Sequence, residues 1–239
     1  MGQANLAAEG AQAIGVNPAN MNLTTYRYEA FTSYSNVIGG EQYTHIAGAF
    51  MLPHPLQYLD TLGLAVTNLS INNIQGADTA GNLTGSSFGA GNLAVSLAAS
   101  GLIMPDVRWG GALKTLNSSI GSYNSGLTMA ADLGARYDFH GFSKPMTVAA
   151  SITNMGPGVK FMSQTDALPT SFDVGWAGHF GSLTTFLDMN ELINQSVFQY
   201  GIGAEYSVGP VAFRVGYRNR IREHRTWRRR ISMDSTRCW

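Results

Sequence analysis

The chain has 239 residues, of which 13% are charged and 28 are glycine, and its formal net charge is +0. Soluble domains carry roughly 25% charged residues, so this composition supplies a water-covered surface poorly. No run approaches the roughly 18 consecutive apolar residues of a membrane-spanning helix, and Cys238, the single cysteine, rules out a disulfide framework or a thiolate metal site.

The first segment, to about Leu23, is rich in Ala, Gly and Asn and centres on Asn17-Pro18-Ala19-Asn20. Pro18 has no amide hydrogen and holds Asn17 extended, which predicts a tight turn outside any α-helix. Residues 26–34 and 41–51 read as a hairpin across 36–40, where Gly39-Gly40 supplies the turn, and residues 61–74 as a third strand. Residues 73–86, with Gly76, Asp78, Gly81, Asn82 and Gly85, read as a polar loop projecting from the sheet. Strands over 88–102 and 107–116 follow, joined by Met104-Pro105-Asp106. Residues 117–124 form a further expected loop, and 125–138 the next strand. Long loops at one end and tight turns at the other are the asymmetry of outer-membrane barrels.

About eleven such stretches alternate in parity. Side chains on a strand point to opposite faces with period two. Val211, Phe213, Val215 and Tyr217 therefore oppose Ala212, Arg214 and Gly216, and Leu127, Met129, Leu133 and Tyr137 oppose Thr128, Asp132, Gly134 and Arg136. Phe172, Val174 and Trp176 oppose Asp173 and Gly175; Leu187 and Met189 share a face that Asp188 avoids; Tyr206 opposes Glu205; Trp109 and Leu113 oppose Arg108 and Lys114. One face is bulky and apolar. The other is small and carries Arg108, Lys114, Arg136 and Arg214 against Asp132, Asp173, Asp188 and Glu205, a balanced set read as lumen salt bridges. A Lys or Arg on a lipid face near midplane costs roughly 2–4 kcal/mol, so these charges belong inside. Aromatics near strand ends, such as Tyr137, Trp176, Tyr206 and Tyr217, fit interfacial girdles. A soluble β-sandwich or small barrel shares the parity, but its water-facing side is normally rich in Thr, Lys and Glu, whereas here it is mostly Gly, Ala and Ser.

Several local motifs together resemble the PorV/PorQ family of bacterial outer-membrane proteins, within the FadL-like superfamily. They are Asn17-Pro18-Ala19, Ser33-Tyr34-Ser35, Gly110-Gly111-Ala112-Leu113-Lys114, Ala131-Asp132-Leu133-Gly134-Ala135-Arg136-Tyr137, Asn154-Met155-Gly156-Pro157-Gly158-Val159-Lys160-Phe161 with Asp166-Ala167-Leu168-Pro169, Gly203-Ala204-Glu205-Tyr206 and Arg214-Val215-Gly216-Tyr217-Arg218. They span about Glu9 to Arg218. The resemblance implies an antiparallel transmembrane β-barrel of about fourteen strands, some eleven of them in this chain, in the bacterial outer membrane. Asn17, Pro18 and Ala19 would end an amino-terminal hatch. It further implies passage of hydrophobic small molecules or a shuttle role in type IX secretion.

The zero net charge conceals two segments. Residues 1–217 hold 7 Lys and Arg against 13 Asp and Glu, or −6, and residues 218–239 hold 8 against 2, or +6. The tail runs through Arg220, Arg222, Arg225, Trp227 and Arg228-Arg229-Arg230 without strand alternation. Clustered Arg with Trp suits a nucleic-acid or lipid-headgroup patch, but the loss of alternation favours a truncated or out-of-frame end, and no nucleic-acid partner is expected. The amino terminus shows no signal-peptide pattern, and the domain reading is a hatch remnant over 1–23, a barrel over 24–217 and a basic, disordered or non-native tail over 218–239.

Catalytic and metal signatures are weak. His45, His54, His140, His179 and His224 show no paired spacing, there is no Gly-x-Ser-x-Gly elbow, and Gly201-Ile202-Gly203 lacks the third glycine and following helix of a dinucleotide site. No cofactor, metal or enzymatic activity is expected. The best functional candidate is the segment Asn154, Gly156, Pro157, Gly158 and Lys160 through Leu168 and Pro169, which reads equally as a binding loop or inward-folded plug and as a structural turn. The leading expectation is an outer-membrane component that moves or tethers cargo, with membrane lipid, hydrophobic small molecules or secreted proteins as partners. The alternative is a soluble β-rich adhesin or structural surface module.

Overall fold

In the computed structural model, the described residues are 6, 9–23, 26–37, 40–140, 144–161 and 164–222. The tail beyond Arg222, with Trp227 and Cys238, and the Gly39 turn position lie outside them. The protein is all-β. Strands β1 (Tyr28–Val37), β2 (Glu41–Leu56), β3 (Leu59–Ala77), β4 (Leu83–Met104), β5 (Val107–Ile120), β6 (Tyr123–Phe139), β7 (Met146–Met155), β10 (Ser171–Phe180), β11 (Leu183–Leu192), β12 (Val197–Val208) and β13 (Val211–Arg222) form one eleven-stranded antiparallel sheet. Each strand pairs with the next in the chain, except that β7 pairs with β10 across a small separate hairpin, β8 (Val159–Phe161) with β9 (Gln164–Asp166).

The sheet curls. Ala11 donates its amide to Glu29 Oε1 on β1 (3.3 Å), and Leu6 donates its amide to Asp188 Oδ2 on β11 (2.8 Å). In a flat sheet these strands, eight spacings apart, would stand roughly 38 Å from one another. Five residues of chain reach at most about 18 Å. The strands therefore wrap around the amino-terminal segment. No pairing joins β1 to β13 among the described residues, so the curled sheet is open along that seam.

Parity assigns the two faces. Ala47, Ala49, Ala65, Ala98, Ala112, Ala130, Ala149 and Ala177 are buried on the concave side, together with Ser96, Ser100, Thr147 and Ser151. Large apolar side chains occupy the convex side: Leu97 is 65% exposed, Leu113 62%, Leu127 71% and Val215 70%. The usual arrangement of a soluble sheet, bulky residues inside and small or polar ones outside, is inverted.

Two expected loops are mostly strand. β3 runs on to Ala77 and β4 begins at Leu83, with Ile74 opposite Phe88 and Gln75 opposite Ser87, so the turn is confined to residues 78–82. Asp78 closes it by accepting hydrogen bonds from the Ala80 and Asn82 amides (2.9 and 2.8 Å) and from Asn82 Nδ2 (3.2 Å). The Asn82 bonds are the main cause that holds the Asp78 carboxyl below its ordinary range. Likewise β5 reaches Ile120 and β6 starts at Tyr123, leaving Gly121, at φ 58°, and Ser122 as a two-residue turn. The last strand also exceeds expectation: β13 stays paired with β12 through Arg222 opposite Val197, five residues beyond Tyr217.

Candidate functional site: an occupied concave face

The amino-terminal segment lies in the hollow of the sheet as two short 3-10 turns, Ala11–Gly15 and Pro18–Asn20. Its apolar side chains Ala11, Ile14, Met21 and Leu23 pack on Ala47, Ala49, Ala65, Ala98 and Ala112, with Phe31 and Met51 at the margin. The alanines of the sheet leave the depth that Ile14 and Met21 fill. Gly63 completes this fit, since a Cβ there would meet Ile14 Cδ1 and Met21 Sδ at 2.7 Å.

Asn17, Pro18 and Ala19, the expected hatch element, are fully buried at the bottom of this contact. Asn17 has extended backbone, φ −147° and ψ 101°, as the following proline requires. Its side-chain oxygen accepts from the Ala19 amide (3.0 Å), capping the turn, while its Nδ2 donates to Ala135 O on β6 (3.2 Å) and Ala150 O on β7 (3.4 Å). Close approach depends on two glycines. A Cβ at Gly110 would collide with the Pro18–Ala19 peptide, and one at Gly134 with the Asn17 side chain. Ser151 Oγ adds a bond to Val16 O (3.0 Å). The backbone of the segment is thus held by the sheet at several points, which satisfies polar groups otherwise costly to bury.

The eight expected lumen charges all lie on the concave face, but their partners differ from a simple pairing among themselves. Lys114 and Asp132 do pair, at 2.7 Å with almost no exposure, and Arg214 pairs with Glu205 at 2.6 Å. Arg108 instead pairs with Asp60 at 2.6 Å. Arg136 binds Asp138 at 2.8 Å and also Glu9 of the amino-terminal segment. Asp173 accepts from Ser171 Oγ (2.8 Å) and from Asn190 Nδ2, so its anchoring is by neutral donors. Asp188 accepts the Leu6 amide. The salt-bridge reading thus fits Asp132 and Glu205 but not the Asp173 contacts. Asp60, Asp138 and Glu9 escaped the sequence reading. Asp138 was the legible one, since it shares the parity of Arg136; Glu9 belongs to a segment whose docking no local pattern announces.

The segment from Asn154 to Pro169 folds onto the concave side. Asn154, one residue before the end of β7, has φ 58° where the β6–β7 register shifts. Its amide donates to Asp132 Oδ1 (2.7 Å), its Oδ1 accepts from Lys114 Nζ (2.8 Å), and its Nδ2 donates to Pro169 O (3.1 Å), while Thr170 Oγ1 donates to Asn154 O (3.0 Å). The neck is therefore pinned to the buried ion pair and to itself. Gly156 lies against the β6 backbone, where a Cβ would meet Met129 O at 2.5 Å, and Gly158 O accepts from Thr128 Oγ1 (3.3 Å). Leu168 is buried, and Asn194 Nδ2 donates to its carbonyl (2.8 Å). Pro157 precedes the hairpin and Lys160 lies in β8, and both are exposed. The base of the segment packs against the concave face, whereas Lys160 and Gln164 to Asp166 of the hairpin are exposed.

His45 is buried beside Phe31, Tyr43 and Thr67, with Nδ1 2.8 Å from Thr67 Oγ1, and His140 approaches Asp106 at 3.2 Å. Among the described residues, no group of three or more His, Cys, Asp or Glu side chains converges as a metal site would require. No family model matches the chain, and no curated protein matches it significantly.

Proposed function

We propose that this chain is a non-enzymatic outer-membrane β-barrel protein of the PorV/PorQ type, whose convex face meets lipid hydrocarbon and whose concave face forms a plugged lumen that moves or tethers cargo. The observation that carries this reading is the convex surface. Leu64, Leu97, Leu113, Leu127, Leu133, Phe172, Ile202, Phe213 and Val215 are exposed on β3, β4, β5, β6, β10, β12 and β13, an apolar surface beyond the few hundred Å² that soluble monomers tolerate. The concave face is its complement, with small residues, paired ions and a docked segment, as barrel interiors require. Backbone groups along an open edge are costly in hydrocarbon, so the seam between β1 and β13 would be closed by further strands in a complete barrel.

Two cargo roles suit the inward-packed elements: passage of a small molecule once the amino-terminal hatch residues Asn17 to Ala19 move, or retention of a secreted protein near the Asn154 to Pro169 element. The soluble adhesin reading has no observation in its favour, because its core would have to bury residues that stand exposed here. The test is electrophoresis with and without heating, together with detergent partition. Heat-modifiable migration and recovery in the detergent phase are expected. Extraction in plain buffer as a monodisperse protein rejects the proposal.

A further inference from the structure

A hollow of about 540 Å³ opens on the convex face over the central strands β3 to β6, within the roughly 300–1,000 Å³ of small-molecule sites. The row that crosses these strands as Leu62, Ale99, Gly111 and Leu133 is bulky at both ends and nearly bare between. Leu64, Leu97 and Leu113, each half exposed or more, form the bank on one side. Trp109 forms the other. Its indole N–H donates to Tyr58 O at 2.6 Å, and Tyr58, in the β2–β3 turn, lies over Gly101, where a Cβ would collide with the same carbonyl. The ring is thereby fixed, and the hollow is preformed.

Trp109 has committed its single polar side-chain atom, and the other side chains that face outward here are hydrocarbon or absent. Asp132 borders the hollow from the concave side only, where its carboxylate is paired with Lys114. An occupant therefore gains contact and no side-chain hydrogen bond. The adjoining turn residues 57–58 and 105–106 include no Lys or Arg, so a free fatty-acid carboxylate would find no counter-charge there. The mouth is roughly 14 by 13 Å, from three strand spacings and four residues of rise, whereas a stable dimer buries about 800 Å² per partner, which disfavours a second copy of the chain. We propose that this hollow holds one acyl chain of a bilayer phospholipid, and holds it more tightly than the remainder of the convex face does. Walls on several sides give the chain more contacts than a flat surface, and the fixed indole lowers the ordering cost of binding. The inference rests on the reading of the convex face as lipid-facing.

The test is fluorescence quenching of Trp109 in the full chain, with Trp176, Trp227 and Trp239 replaced by phenylalanine, in non-ionic detergent micelles that receive phosphatidylcholine with dibrominated acyl chains. Half-quenching is expected at a lipid fraction about ten-fold lower than for a Leu127→Trp probe in a Trp109→Phe background, a ratio that burial of about two extra methylenes supplies. Gly111→Leu fills the floor of the hollow and should shift the Trp109 curve onto that of the Leu127→Trp probe. Ala99→Leu fills the same floor from β4 and carries the test if Gly111→Leu does not fold. Equal quenching of the two probes at the same lipid fraction overturns the proposal and leaves the lipid-facing reading standing, whereas quenching of neither overturns both. Quenching of Trp109 by dibromostearate at or below the phospholipid fraction, or a Trp109 curve indifferent to the filling variants, also overturns the proposal.

Discussion

Replacing Asn17 with alanine is the sharpest probe of how the amino-terminal segment is held. The amide makes three hydrogen bonds in a fully buried position, one to the Ala19 amide and two to the Ala135 and Ala150 carbonyls. The carbonyls retain their ladder partners, so their loss is modest. The Ala19 amide is left a buried donor without a partner, which costs about 1–3 kcal/mol, and loss of the two carbonyl bonds brings the total to about 2–4 kcal/mol. This cost falls on docking of the segment rather than on the strand ladder, so local opening should become about 30- to 1,000-fold more frequent. The assay is maleimide labelling of a cysteine placed at Ile14, which is fully buried in the hollow, in a background where Cys238 is serine. Asn17→Ala should accelerate labelling by that factor while the global unfolding midpoint moves little. Labelling within about three-fold of the parent, a change of less than about 1 kcal/mol, would refute the argument that this side chain clasps the segment to β6 and β7.

The glycines facing the segment should behave oppositely to those facing outward: Gly110→Val and Gly134→Val should expel residues 17–19 and expose the same Ile14 probe, whereas Gly111→Ala, whose added Cβ meets only ordinary contacts at 3.5 Å or more, should leave labelling unchanged. Lys114→Met should destabilise by about 3–5 kcal/mol, because it strands the fully buried Asp132 carboxylate, and adding Asp132→Asn should recover more than half of that loss in guanidinium unfolding; a cost below about 1 kcal/mol would mean that the pair does not secure the Asn154 neck.

Much of the sheet was legible because a period of two is a local property. Val211 to Tyr217 and Leu127 to Tyr137 announce their faces in the order of the residues alone, and the structure places each side chain accordingly. Strand ends were not legible. Gly76, Asp78, Gly81, Asn82 and Gly85 carry turn chemistry, yet cross-strand pairing of Ile74 with Phe88 and Gln75 with Ser87 absorbs all but residues 78–82. Around residues 117–124 polar side chains pair across the hairpin, with Asn117 Nδ2 donating to Asn124 Oδ1 at 2.9 Å, so polarity marks an exposed strand end rather than a loop. The site was half legible. Asn17-Pro18-Ala19 stood out, but its receptors, Gly110 and Gly134, look like any strand glycine until the sheet curls and brings the segment against them. The ionic partner Glu9 depended on the same long-range closure and Asp60 on the placing of β3 and β5 either side of β4, which no window of sequence contains.

The measurement that bears most directly on the account is nitroxide scanning after reconstitution into phospholipid vesicles, with single labels at Leu97, Leu113 and Leu133 on the convex face and at Ser96, Ala112 and Thr128 on the concave one. If the convex face meets hydrocarbon, the first three labels are relaxed by oxygen and shielded from a water-soluble nickel chelate, and the pattern reverses or becomes immobile for the second three. Convex labels open to the chelate, or a protein that remains in buffer and leaves the vesicles empty, would contradict it.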